Sequence, residues 1–166
     1  EKIGDLILSE GKKMGMILTA TPSFRGRRIE AGLLSAGQDF DKNTNPFSVG
    51  LGKFVDLDKK DFIGKKALSN LEKKCRTWGL RVKESVALKG ENIFSNNKVI
   101  GRVTSSTWSP FQVCGVAIIH LNNDQFGPSS VIDVKCSDGK IYKGEICSLP
   151  MYLSLIHISE PTRLNP

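Results

Sequence analysis

The residues that could do chemistry in this chain are few, and most arrangements they could form are missing. Two histidines exist, His120 and His157. His120 sits in an apolar run of strand length, where a histidine satisfied in the core or at a strand end is expected rather than a catalytic base. Cys75, Cys114, Cys136 and Cys147 show no Cys-x-x-Cys spacing, so neither a zinc ribbon nor a thioredoxin-type site is available. No metal-ligand constellation exists, and no serine or cysteine has an obvious base to activate it. Gly50-Leu51-Gly52 lacks the third glycine and the βαβ surroundings of a dinucleotide site. Gly64-Lys65-Lys66 lacks the upstream glycine and the Ser/Thr of a phosphate loop. Spacing alone therefore yields a basic α+β protein with no visible catalytic group.

The elements that would position any site fall into two groups. Ile3, Leu6 and Ile7 lie at helical spacing, closed by Gly11 and Gly15. Thr21-Pro22 predicts a helix start with Thr21 as cap, running through Arg28 and Glu30 to Gly32. Asn45-Pro46 is loop chemistry. Residues 50–57 read as a short strand. Asp61 is expected to cap a third helix with Ile63, Ala67, Leu68 and Leu71 on one face and Lys65, Lys66, Lys73 and Lys74 on the other. From Thr77 the period changes to two. Strands are expected at 78–82, 99–103, 113–121, 131–136 and 140–146, with turns at Asn96-Asn97 and Asp138-Gly139. The boundary between the groups falls between Leu71 and Thr77.

Length and charge narrow the class further. The 166 residues carry a net charge of +7, with 39% hydrophobic and 25% charged residues. That composition excludes a disordered chain, a collagen repeat or a coiled coil. No apolar run suffices for a membrane span. The basic balance favours anionic partners without choosing among them. A nucleic-acid-binding module is the competing reading, but the aromatic-basic interleaving used on single strands is absent. No signal peptide is visible, and the default is reduced thiols in the cytoplasm. The first residues read as the middle of a helix, which suggests a fragment. The last fourteen, 153–166, resemble translated sequencing-adapter read-through, so His157 is set aside with them.

One family pattern is present in order. Arg28-Ile29-Glu30-Ala31-Gly32-Leu33-Leu34, Gly37-Gln38-Asp39, the 43–51 segment from Asn43-Thr44-Asn45-Pro46 to Gly50-Leu51, and Asp61-Phe62-Ile63-Gly64-Lys65-Lys66 resemble the folate-dependent aminomethyltransferase family. Its type member is the T protein of the glycine cleavage system. Val103-Thr104-Ser105-Ser106, Trp108-Ser109-Pro110 and the closing 144–150 segment resemble its C-terminal barrel. Details around Ile29 to Ser35 and Trp108 to Pro110 look closer to the dimethylsulfoniopropionate demethylases.

The resemblance implies an α+β chain: a truncated part of an α/β folate-binding domain over residues 1–71, then a small antiparallel β-barrel over 72–152. It implies one-carbon transfer to N5 of tetrahydrofolate, from a small-molecule donor or a lipoylated carrier protein. The two known chemistries are aminomethyl transfer with ammonia release, and demethylation of a sulfonium. A relative that binds folate without catalysis is a further alternative. The family's catalytic carboxylate lies upstream, so no catalytic residue is expected here. Arg28 matches the family's folate-site arginine, and Glu30 and Lys53 are the other cofactor-binding candidates. Glu30 lies two positions on and faces elsewhere on a helix, so a structural ion pair or cap is its alternative role. Ala36 and Lys53 replace aromatic residues, and Lys53 could instead meet the folate glutamate tail. Trp108 could form an aromatic wall for the donor. The Lys65, Lys66, Lys73, Lys74 and Arg76 group reads as a solvated face or an acidic-carrier dock.

Overall fold

A computed structural model describes residues 2–151. The tail assigned to adapter read-through, residues 153–166 with His157, and residue 152 of the expected barrel lie outside the described residues. Among the described residues the elements are α1 (Lys2–Lys13), α2 (Thr21–Glu30), a 3-10 turn (Gly52–Phe54), α3 (Lys65–Ser69) and six strands: β1 (Thr77–Val82), β2 (Asn92–Ser95), β3 (Lys98–Ser109), β4 (Cys114–Leu121), β5 (Val131–Lys135) and β6 (Ile141–Cys147). The strands close into an antiparallel barrel in the order β1-β4-β3-β2-β5-β6, with β6 returning to β1. The expected α+β class and small antiparallel barrel are therefore present.

Barrel closure follows from the period-two pattern. Leu80 and Val82 of β1, Ile93 of β2, Val103 of β3, Ala117, Ile119 and Leu121 of β4, Ile132 and Val134 of β5 and Ile146 of β6 form one buried cluster. The connections use the turn chemistry read in the sequence. Asn96 and Asn97 both have positive φ, +48° and +62°, joining paired Ser95 and Lys98 across a two-residue loop. A turn of that hand matches the twist of the strands it joins. Gly139, at φ +81°, supplies the same freedom between β5 and β6.

β4 is buried along nearly its whole length because both of its faces are covered. Its second face, Cys114, Val116 and Ile118, packs with Ile29 of α2 and with Cys147 and Met151. A strand covered on both sides reads as a continuous apolar run. The helix α2 thus lies against β3 and β4. Its C-terminus closes with Gly32 at φ +69°; the Gly32 amide donates to the Ile29 carbonyl and the Leu33 amide to the Arg28 carbonyl. This paired ending satisfies carbonyls the helix would otherwise leave open.

Three local expectations are corrected. The cap of α2 is Ala20, with no side-chain cap bond, and Thr21 is already helical. Pro22 starts the helix by its fixed φ, so a hydroxyl cap is not needed. Residues 50–57 form no strand, because Gly50 adopts φ +75° and a Cβ on Gly52 would stand 2.8 Å from the Phe47 ring. That tight packing coils the segment. The third helix shrinks to five residues behind Gly64, and Asp61 does not cap it. Among the described residues its intended apolar face is poorly covered: Ile63 is fully exposed and Leu68 only half-buried. Without tertiary burial so short a helix gains little length.

Candidate functional site

The join between α2 and the barrel is built around one carboxylate. Asp39 is 4% exposed and accepts four hydrogen bonds. Its Oδ1 takes the hydroxyls of Thr104 and Ser105, each at 2.6 Å. Its Oδ2 takes Arg28 Nη1 at 2.6 Å and the Ser35 amide at 2.8 Å. Arg28 continues the network: Nη1 donates to the Leu33 carbonyl and Nη2 to Ser105 Oγ, both at 2.8 Å. Burial alone would raise the Asp39 pKa, but the bonds from Ser105, Thr104, the Ser35 amide and Arg28 outweigh it and hold it below its ordinary 3.8.

A bulge makes this possible. The pairing of β3 with β4 shifts between Val103 and Ser105, which face Ile119 and Ile118. Along a regular strand, consecutive side chains point to opposite faces. The extra residue, Thr104, lets two adjacent hydroxyls reach the same carboxylate. Thr104 also donates to the Ile118 carbonyl at 3.0 Å.

Glu30, on the same helix as Arg28, reaches elsewhere. Its Oε1 accepts from Ser109 Oγ at 2.5 Å, and Arg27 Nη1 stands 3.6 Å from its Oε2. Ser109 Oγ in turn accepts the Gln112 amide at 2.9 Å. Glu30 is 3% exposed, so both acidic anchors of this region are buried. Trp108, one residue before Ser109, is 41% exposed. It borders a cavity of about 450 Å³ between α2 and the end of β3. A second cavity, about 280 Å³, opens between the 37–44 loop and the barrel, with Lys89, Arg102 and Thr104 in its wall.

Lys53 lies apart from these groups. It is exposed on the 3-10 turn, its Nζ 5.2 Å from the centroid of the Phe54 ring, which is also exposed. The structure thus gathers Arg28 and Glu30 onto α2, places Trp108 beside Glu30, and leaves Lys53 on the separate turn. Asp39 was missed by sequence reasoning. Its motif, Gly37-Gln38-Asp39, was visible, but its partners lie 65 and 66 residues further along the chain.

Other titratable groups are structural. His120 Nδ1 meets Thr77 Oγ1 at 3.0 Å. Burial, and then the charges of Arg102 and Arg76, push its pKa below the ordinary 6.5. The Cys147 thiol is pushed to about 11 by burial, and Cys75 and Cys114 are raised by the same cause. These thiols are poor nucleophiles at neutral pH. Among the described residues no group of three His, Cys, Asp or Glu could hold a metal ion. No described helix is long and apolar enough to cross a membrane. The basic cluster is partly neutralised: Lys74 pairs with Asp124 and Glu72, and Arg76 with Glu72.

Comparison with known proteins bears on the same two regions. A model of the glycine cleavage T-protein C-terminal barrel domain matches residues 76–152, and a model of the GCVT N-terminal domain matches residues 1–59. The chain belongs to the glycine cleavage T-protein family. The T-protein-like barrel is also shared with a solved relative, the glycine cleavage system aminomethyltransferase T from Bartonella henselae: TM-score 0.67 at 27% identity, over 77% of this chain and 37% of that one. An aminomethyltransferase from Prochlorococcus marinus is 34% identical over 130 residues, 75% of this chain and 35% of the relative. One from Halothermothrix orenii is 29% identical over 153 residues, 90% of this chain and 43% of the relative. This T-protein family member spans about a third of the length of the curated relatives it matches.

Proposed function

We propose that this chain serves a tetrahydrofolate-dependent one-carbon transferase of the aminomethyltransferase type, passing a one-carbon group to N5 of tetrahydrofolate. Residues 1–71 belong in this reading to the folate-binding domain and residues 72–152 to the barrel. The carrying observation is the Arg28–Asp39–Thr104–Ser105 network, which fixes the family's arginine between helix and barrel. A guanidinium held by a buried carboxylate keeps a set orientation, which suits repeated recognition of a planar carbonyl or carboxylate.

The residues present fit part of a reduced folate. The exposed Lys53 ammonium beside the Phe54 ring offers a cation next to an apolar face. A benzoyl ring ending in glutamate carboxylates needs that pair of groups. Phe54 thereby replaces the aromatic residue missing at position 53. Arg28 and Lys53 would hold the folate. Glu30 contributes from behind by tying α2 to β3 through Ser109. Trp108 serves as a wall for the one-carbon donor, which is a lipoylated carrier protein or a small molecule. The reactive carboxylate belongs to the part of the family's length that this chain does not span. The proposed setting is the cytoplasm.

A second reading, methyl transfer from a sulfonium to tetrahydrofolate, is favoured by one observation: Trp108 is half-exposed on a cavity wall. Calorimetric titration with tetrahydrofolate tests the shared step. Saturable binding is expected to weaken at least tenfold in R28A and a few-fold in K53A. Absence of saturable binding, both in this chain and after joining it to the N-terminal part of a relative, rejects the proposal. In that joined protein, ammonia release with a lipoylated carrier identifies aminomethyl transfer, and loss of a methyl group from a sulfonium identifies the second reading.

A further inference from the structure

Glu30 carries an unmet demand. Its Oε1 is satisfied by Ser109, but its Oε2 is buried with no hydrogen-bond donor among the described residues. The Arg27 guanidinium stands 3.6 Å away, beyond a hydrogen bond, on a side chain that is 68% exposed. An isolated buried carboxylate oxygen is costly unless a donor or cation reaches it. Glu30 lines the cavity of about 450 Å³ together with Pro22, Gly26, Arg27, Trp108 and Phe111. That volume lies within the roughly 300–1,000 Å³ of small-molecule sites. Two aromatic rings and a carboxylate are the donor set that recognises a cation: the ring faces attract positive charge, and the carboxylate accepts N–H bonds.

We propose that this cavity binds a small primary alkylammonium group, its N–H donating to Glu30 Oε2 and its alkyl part lying against Trp108 and Phe111. The open Oε2 selects a cation with N–H donors over a sulfonium or quaternary ammonium, which has none to give. Arg27 is the competitor for Oε2, and its exposed side chain swings aside when the ligand enters. The inference rests on Trp108 as a binding wall, and does not need folate.

The test uses n-butylammonium chloride with the full chain. Trp108 fluorescence is read in a Trp78→Phe background, since Trp78 is the one other tryptophan of the sequence. A saturable change is expected with n-butylammonium. It should be at least tenfold weaker with tetramethylammonium and absent with 1-butanol, the neutral isostere. E30Q keeps an oxygen for Ser109 but loses the charge, and is expected to weaken binding at least tenfold. R27A is expected to tighten it several-fold. Equal binding of 1-butanol, or of tetramethylammonium, overturns the proposal, as does unchanged affinity in E30Q. If E30Q fails to fold, R27A decides, and unchanged or weaker binding there overturns it. Tetrahydrofolate titrations of the same variants separate the readings. Ammonium binding lost with folate binding kept rejects this inference alone, and the reverse rejects the folate reading alone.

Discussion

Arg28 and Asp39 show how a single residue's role depends on partners far along the chain. The arginine is legible because it lies in a recognisable run on a helix. The aspartate lies in a loop and gains its role only when the β3 bulge brings Thr104 and Ser105 to it. Breaking a buried pair leaves a charge without compensation, so D39N is expected to lose about 3–5 kcal/mol of folding stability in urea titrations. The pH dependence has a definite sign. The folded Asp39 pKa lies below 3.8, so the stability it contributes is complete above that value. It is lost as the pH falls through the folded pKa. Wild type should therefore lose more stability between pH 5 and pH 2 than D39N does. Equal slopes would show that the carboxylate is not held in its ionised form.

At the scale of elements, success and failure divide by what holds each one. β1, β4 and β6 were legible because alternation, or a run covered on both faces, records burial directly in residue type. The Asn96-Asn97 and Asp138-Gly139 turns were legible because the positive φ at Asn96, Asn97 and Gly139 favours asparagine and glycine. β2 was not, since four residues carry too little pattern. The Asp61 helix failed for the opposite reason: its pattern was present, but no neighbour among the described residues covers Ile63. β4 also has a demand that its sequence shows only as a glycine. A Cβ at Gly115 would stand 2.0 Å from the Ser85 carbonyl oxygen. That atom is backbone and cannot rotate away. G115A is therefore expected to cost at least about 1–3 kcal/mol, the range for overpacking, with a matching fall in urea midpoint. A wild-type midpoint would mean that the backbone at Ser85 packs less closely on Gly115 than described.

For the molecule as a whole, the barrel and the helical segment differ in self-sufficiency. Residues 72–151 hold the main buried cluster and the closed hydrogen-bonded sheet, whereas α1 buries none of its residues. Expressed alone, 72–151 is expected to unfold in one cooperative transition, less stable than the full chain because Ile29 no longer covers β4. Loss of dispersed amide resonances in that piece would show that α2 is required for closure. The sequence by itself determined the α-then-β order, most of the strands, their turns and the family, because residue type responds to local conformation and to burial. Only the tertiary structure decided that Arg28 answers to Asp39, that Thr104 and Ser105 share one carboxylate, and that Glu30 keeps one oxygen without a hydrogen-bond donor among the described residues, beside Trp108. Those facts depend on a strand bulge and on the packing of α2 against β3: the Arg28–Asp39 pair spans 11 positions, but its anchoring on Thr104 and Ser105 spans 65 and 66, and the Glu30–Ser109 bond spans 79. No local pattern encodes so distant a meeting.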